Sequence, residues 1–78
     1  MAEQIDQNQE NPISSLTQRE KEVLRCLARG DSNREIATTL NIEERTIRFH
    51  LGNLCKRLGI RGRGKLQAWA WNHGLGEK

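Results

Sequence analysis

The sequence is short of the features that mark a secreted or membrane protein. Its two cysteines, Cys26 and Cys55, are too few for the disulfide sets of small secreted domains, and their spacing matches no tight metal or redox motif. No apolar run approaches the roughly 18 residues of a membrane span. Residues 1–15 are mostly Gln, Asn, Glu and Ser, unlike a signal peptide. We therefore expect a soluble protein of a reducing cytoplasm with no membrane partner.

Catalytic and metal-binding motifs are also lacking. A chain of 78 residues holds one small core and leaves little room for a large enzyme pocket. There is no nucleophile motif, carboxylate pair or phosphate-binding glycine loop, since Gly62 and Gly64 follow no predicted strand. His50 and His73 lack the short paired spacings of a zinc site and are expected to be structural, with His73 facing inward. We predict no enzymatic activity, no metal and no cofactor.

Acidic residues are missing from one stretch of the chain. Residues 1–16 carry three acids and no base, whereas residues 17–78 carry all 13 Lys and Arg residues against seven acids. Between positions 45 and 65 there are seven bases and no acid: Arg45, Arg48, Lys56, Arg57, Arg61, Arg63 and Lys65. This stretch is expected to carry a positive field, which suits either nucleic-acid binding or an ordinary solvated basic surface.

The chain divides into a polar start and a helical remainder. Residues 1–15 have low hydrophobicity and no periodicity, which predicts a disordered tail or an interdomain linker. Folding is expected to begin near Leu16. Residues 16–75 then form one domain and residues 76–78 a C-terminal tail.

Two capping boxes predict where the first two helices begin. Segments of the form Ser/Thr-x-x-Glu start at Thr17 and at Ser32, and in each the hydroxyl and the Glu satisfy first-turn N–H groups reciprocally. The first helix is predicted over about residues 18–29, with Gly30 as its stop. The second is short and ends in a tight turn at Asn41, because Asn tolerates the left-handed conformation better than most residues.

The third helix is predicted over about residues 44–58 and is amphipathic. At about 100° per residue, its buried stripe consists of Ile47, Leu51, Leu54 and Leu58. Its other side carries Arg45, Arg48, Phe49, Gly52 and Lys56. A flexible basic link over residues 61–64 is expected to lead to a fourth helix over about residues 65–73. The predicted fold class is all-α, a four-helix bundle.

Residues 33 to about 54 have the layout of a helix-turn-helix. Ile36 and Ala37 face inward, and Ala37 is small enough for the next helix to cross closely above it. Such a unit suits DNA because its second helix fits the major groove, about 12 Å wide, while the preceding helix lies across the phosphates. A bulky or charged residue at position 37 is expected to break it.

Four short motifs run through these predicted helices. They are Leu-Thr-x-Arg-Glu-x-Glu-Val-Leu from Leu16, Ser-Asn-x-Glu-Ile-Ala from Ser32, Thr-Ile-x-x-His from Thr46 and Leu-Gly-Ile from Leu58. With these motifs the chain resembles, over about residues 16–75, the DNA-binding domain of LuxR/NarL/FixJ-type transcription regulators. The resemblance implies sequence-specific binding of double-stranded DNA, by a free-standing regulator or by the effector domain of a response regulator or ligand-sensing regulator.

Base reading is assigned to the outer side of the third helix. Arg48 can donate two hydrogen bonds to a guanine edge, Phe49 can contact a thymine methyl, and Gly52 leaves room for close approach. Arg45 lies beside these three residues and is predicted to read bases with them. Glu43, Phe49 and Gly52 differ from residues common in the family, so the operator sequence does not transfer from relatives.

Phosphate contacts are predicted for residues around this reading face, because such contacts fix the register of a protein on DNA. They are Ser32, Asn33, Arg34, Thr46, Lys56, Arg57, Arg61 and Arg63. A solvated surface charge is the alternative for any single Arg, but the convergence of the set on one face favours DNA.

The predicted fourth helix has an outward side made of Gln67, Ala68 and Trp71. An exposed Trp in so small a domain indicates an interface. The resemblance implies a homodimer formed through this helix on two half-sites. The alternative is that Trp71 folds back onto its own surface. A receiver or ligand-sensing domain in the same protein and RNA polymerase are further partners that the interpretation implies.

Two other interpretations stay open at this point. A sigma-factor region that contacts the −35 promoter element shares the opening motif and the helix-turn-helix, although such regions usually lack the fourth helix. A protein-interaction module could instead use the basic face to dock an acidic partner. Comparing a specific with a scrambled duplex separates this module from a DNA reader.

Overall fold

The computed structural model describes residues 12–76, and within that range the chain forms four α-helices and no strand. A one-turn 3₁₀ helix, Pro12–Ser15, precedes them. The helices are α1 (Gln18–Ala28), α2 (Asn33–Leu40), α3 (Glu44–Leu58) and α4 (Arg63–Asn72). The predicted all-α, four-helix fold is confirmed. No helix in residues 12–76 has the length and apolar character that a membrane crossing requires.

The first two helices begin at the predicted capping boxes. Glu20 N–H donates to Thr17 Oγ1 at 3.0 Å, and Thr17 N–H donates to Glu20 Oε1 at 2.9 Å. The equivalent bonds between Ser32 and Glu35 are 3.1 and 2.8 Å long. Each box satisfies two N–H groups that would otherwise lack a partner at a helix start.

A sharp turn at Asn41 joins α2 to α3. Its φ of 60° is left-handed, as predicted, and the next N–H, that of Ile42, donates to Ala37 O at 3.0 Å. This bond satisfies a carbonyl that would otherwise lack a hydrogen-bond donor at the end of α2. The chain therefore reverses within a few residues, and α2 and α3 pack against each other as a helix-turn-helix requires.

The hydrophobic core lies where α1 meets the other three helices. Its fully buried side chains come from every helix: Val23, Leu24, Leu27, Ile36, Ile47, Leu54 and Leu66. Ala37 is 7% exposed, in keeping with its predicted inward position. Burying one Leu or Ile stabilises a fold by about 1.5–3 kcal/mol, so this shared core fixes the orientation of α3.

The folded part begins before Leu16, where the sequence pattern places its start. Pro12–Ser15 forms the 3₁₀ turn, Leu16 N–H donates to Ile13 O at 3.1 Å, and Ile13 packs against the core. One apolar residue among polar neighbours has no periodicity, so its packing leaves no sequence signal. The rest of the predicted tail, residues 1–11, lies outside the described residues, as do residues 77–78.

The prediction for the fourth helix is wrong in two details. Helix α4 begins at Arg63 rather than at residue 65, so Arg63 and Gly64 are helical and do not form a flexible link. Helical spacing predicts an inward His73, but His73 follows the last residue of α4 and is exposed. Its ring stacks on Trp69 with centroids 4.1 Å apart, and its Nδ1 lies 2.8 Å from Trp69 O.

Candidate nucleic-acid interface

One side of α3 is exposed and cationic, and the other is buried. The exposed side carries Arg45, Arg48, Phe49, Gly52 and Lys56. The buried side carries Ile47, Leu51 and Leu54, none more than 9% exposed. Both faces agree with the helical spacing, except that Leu58, which is predicted in the buried stripe, is half-buried against the core. Phe49 is 65% exposed, and its ring lies 6.3 Å from that of His50, between centroids.

The two arginines of the exposed side are paired with carboxylates at the start of α3. Arg45 Nε lies 2.9 Å from Glu43 Oε1, and Arg48 Nη1 lies 3.7 Å from Glu44 Oε2. All four side chains are at least 44% exposed, and exposed pairs of this kind contribute only about 0–1 kcal/mol. Both guanidinium groups can therefore exchange these carboxylates for an external acceptor.

Gly52 leaves the exposed side of α3 without a side chain near its middle. A Cβ at this position would meet no atom within 4 Å, so packing inside the chain does not require glycine there. A bare stretch of helix lets another molecule approach the backbone closely. The position suits the close approach that we predict for it.

Six of the eight residues predicted to contact phosphates donate no side-chain hydrogen bond and form no ion pair within residues 12–76. Ser32, Arg34, Lys56 and Arg61 are exposed, and Asn33 and Thr46 are half-buried. The Ser32 hydroxyl already accepts the capping bond of α2. The phosphate contacts themselves stay predictions.

Arg57 is bonded inside the chain, to groups at the start of α1. Its Nη1 donates to Glu20 Oε2 at 2.5 Å, and its Nη2 donates to Ser15 O at 3.3 Å. The Glu20 side chain is only 12% exposed, and its other oxygen belongs to the capping box of α1. Arg57 thus joins the last turn of α3 to the 3₁₀ turn and to α1. The sequence shows the capping role of Glu20 but not this distant partner.

Arg63 is also bonded inside the chain, to the turn between α1 and α2. Its Nη1 donates to Asn33 Oδ1 at 2.5 Å, and its Nη2 donates to Asp31 O at 2.7 Å. Two residues predicted separately to contact phosphates therefore contact each other. No local pattern signals a pairing over 30 residues.

The outward side of α4 is only partly covered. Trp71 is 52% exposed, Ala68 is exposed and Gln67 is half-buried. The covered part of Trp71 faces the C-terminal turn, since a Cβ built on Gly76 would lie 2.2 Å from its ring. The Trp71 side chain thus folds back in part and leaves about half of its surface open.

The two cysteines are free thiols in different surroundings. Cys26 is buried and Cys55 is half-buried. Burial raises the pKa of the Cys26 thiol above its usual 9.0, against a smaller lowering by Arg29. Among the described residues, no three His, Cys, Asp or Glu side chains gather as a metal site would require.

Sequence comparisons identify relatives of this chain. A family model described as "Bacterial regulatory proteins, luxR family" matches residues 14–70. The Escherichia coli nitrate/nitrite response regulator protein NarP is 49% identical over 55 residues, which are 70% of this chain and 26% of NarP. The E. coli CsgBAC operon transcriptional regulatory protein is 47% identical over 55 residues, with the same 70% and 26% coverage. The Vibrio anguillarum transcriptional activator protein VanR is 48% identical over 52 residues, 67% of this chain and 22% of VanR.

The matches concern one part of longer proteins. The chain spans about a quarter of the length of these relatives, and no solved structure matches it significantly. The family model nevertheless covers more than half of the chain, from the 3₁₀ turn into α4. The relatives are named as regulators and not as enzymes. The chain belongs to the luxR family of bacterial regulatory proteins.

Proposed function

We propose that this chain is the DNA-binding domain of a sequence-specific transcription regulator, with α3 lying in the major groove. The proposal rests on the contrast between the two sides of α3. Its apolar side is buried against α1 and α2, and its basic side is open to solvent, which is the arrangement that a recognition helix needs. Family membership supports it, because the relatives are named as transcriptional or response regulators.

Base reading is proposed for the exposed side of α3. Arg48 donates two hydrogen bonds to a guanine edge once it leaves Glu44, and Phe49 contacts a thymine methyl. Gly52 allows α3 to lie close to the bases. Arg45 reads at the start of the helix, where only an exposed pair with Glu43 holds it.

Phosphate contacts are proposed for the predicted residues, exposed or half-buried, whose side-chain donors make no hydrogen bond or ion pair within residues 12–76. These are Ser32, Asn33, Arg34, Thr46, Lys56 and Arg61. Arg57 and Arg63 are left out of this set because their guanidinium groups already bind acceptors inside the chain. The remaining cations neutralise phosphates and release counterions, which makes affinity depend on salt.

The complete protein is proposed to bind two half-sites as a homodimer through α4, with Gln67, Ala68 and Trp71 at the interface. The open half of Trp71 beside exposed Ala68 supports this. Because the chain spans about a quarter of its relatives, we propose a receiver or ligand-sensing domain in the same protein and RNA polymerase as a partner. Such a regulator would act in the cytoplasm.

The proposal is tested by selecting bound sequences from a random duplex pool. The selected duplex and a scrambled one are then titrated at one salt concentration. We expect at least about 10³-fold preference for the selected duplex. Arg48→Ala should lower that preference, whereas Arg25→Ala, at an exposed arginine of α1, should not. Equal affinity for both duplexes would reject the proposal and favour a module that docks an acidic partner.

A further inference from the structure

Arg63 is hydrogen-bonded to the residues before and after Ser32, the residue that caps α2. Its two terminal nitrogens donate to Asn33 Oδ1 at 2.5 Å and to Asp31 O at 2.7 Å, on either side of Ser32. A guanidinium group is a rigid, planar fork, so two bonds to different acceptors fix its plane as well as its position. Arg63 therefore restrains the start of α2 from the first turn of α4.

This contact also decides which way the Asn33 amide points. Arginine has hydrogen-bond donors only, so the amide atom that faces it must be the oxygen. The Nδ2 group lies on the other arm of the planar amide and is directed away from Arg63. It makes no hydrogen bond to any of the described residues 12–76.

Asn33 is the first residue of α2. The backbone N–H groups of a first turn point out of the helix end, where the helix dipole is positive. An outward Nδ2 therefore adds two side-chain donors to a place already suited to a phosphate oxygen.

We infer that Arg63 is a positioning residue for DNA binding, which turns the donor side of Asn33 toward the phosphate backbone without contacting a phosphate itself. This inference rests on the proposed function and refines it. Arg63 is also the first residue of α4, so the same contact ties the proposed dimerisation helix to the phosphate-binding end of α2.

The binding test compares Arg63→Lys, Asn33→Ala and the double variant on the selected duplex. Lysine keeps the charge but cannot hold two acceptors in one plane. We expect Arg63→Lys and Asn33→Ala each to weaken binding about tenfold, as loss of one hydrogen bond to a charged group does. The salt dependence should not change, and the double variant should bind no more weakly than Asn33→Ala. Arg25→Lys is the matched control, because Arg25 is an exposed arginine of α1 outside the proposed interface, and it should bind as the wild type does.

A direct phosphate contact gives a different pattern. Arg63→Lys would then bind almost as tightly as the wild type, and Arg63→Ala would flatten log K against log [salt] by about 0.9 with or without Asn33. Either result would overturn the inference.

A second readout needs no DNA. In amide NMR spectra of the free protein, the side-chain NH₂ signals of Asn33 should move in Arg63→Lys and stay in place in Arg25→Lys. Unmoved signals in Arg63→Lys would overturn the inference even if this variant bound DNA more weakly. If the wild type showed no preference for the selected duplex, the proposed function would be rejected. The NMR measurement would still test the contact between Arg63 and Asn33.

Discussion

Lys56 and Arg61 lie near the C-terminal end of α3, exposed and without an ion pair among residues 12–76. Arg57, between them, is bonded to Glu20. These three cations lie close together in the sequence but differ in whether they are bonded inside the fold. Arg57 contributes to the fold, whereas the other two are available to an external anion.

Lys56→Ala is expected to weaken DNA binding and to change its salt dependence. Loss of one phosphate contact should flatten the slope of log K against log [salt] by about 0.9. The slope is measured by titrating the duplex over a series of salt concentrations. Thermal unfolding should be unchanged, because the Lys56 side chain is exposed and makes no hydrogen bond or ion pair within residues 12–76. Arg25→Ala removes a charge from α1 and should leave the slope as it is. An unaltered slope in Lys56→Ala would show that this side chain does not contact a phosphate.

The two thiols should differ in reactivity. The thiolate is the reactive form, and burial both shields Cys26 and raises its thiol pKa. With iodoacetamide under native conditions, we expect Cys55 to be alkylated well before Cys26, as followed by mass spectrometry. In Cys55→Ser only the slow reaction should remain. Equal rates at the two positions would contradict the buried placement of Cys26.

Helix α3 is an element with an unusual start. Whereas α1 and α2 begin with complete capping boxes, α3 follows Glu43, which has φ −76° and ψ 149° and makes no side-chain capping bond. The Glu43 carboxylate forms an ion pair with Arg45 instead. The helix proposed to read DNA thus begins without the side-chain cap that α1 and α2 have, and α4, which follows Gly62, also lacks one.

Glu43→Ser is expected to stabilise the domain. A serine at this extended position can accept the capping bond, worth about 1 kcal/mol relative to alanine. Glu43→Ala is the matched control, because both variants lose the pair with Arg45 and only one gains a cap. Urea unfolding should therefore place Glu43→Ser about 1 kcal/mol above Glu43→Ala. Equal stability would mean that the start of α3 cannot accept a cap.

The elements with local signals are the ones that the sequence predicts. Capping boxes and apolar spacing define α1, α2 and α3, and the same spacing separates the buried and exposed sides of α3. The start of α4 has no such signal, because Gly62 offers no side-chain cap. Arg63, its first residue, is bonded instead to Asn33, 30 residues away. The bond from Arg57 to Glu20 spans 37 residues, so local sequence patterns do not predict it either. Charge alone therefore groups Arg57 and Arg63 with cations that lack partners inside the fold.

At the scale of the whole molecule, α1 separates two surfaces with different proposed roles. It packs against α3, which carries the basic face, and against α4, which carries the open half of Trp71. Because α1 packs against both α3 and α4, and Arg63 ties α4 to the start of α2, pairing through α4 would fix the distance between two copies of α3. A dimer of this kind should read two half-sites at one preferred spacing.

Ala68→Glu is expected to abolish cooperative binding to a duplex with two half-sites while leaving binding to one half-site unchanged. Ala68 is exposed on α4, and Glu is nearly as good a helix former as Ala, so the fold should tolerate the change. Two like charges would then face each other across the two-fold axis. Sedimentation with one-site and two-site duplexes gives the stoichiometry. Gln18→Glu adds the same charge on α1 and should keep cooperativity.

Trp71→Ala gives the same test by removing apolar surface rather than adding charge. Part of this ring packs against the turn at Gly76, so some loss of stability should accompany the loss of cooperativity, and unfolding is measured alongside sedimentation. Ala68→Glu has no such packing contribution, which makes the two variants independent. If both still bound two half-sites cooperatively, α4 would not be the dimer interface, and the open half of Trp71 would require another partner.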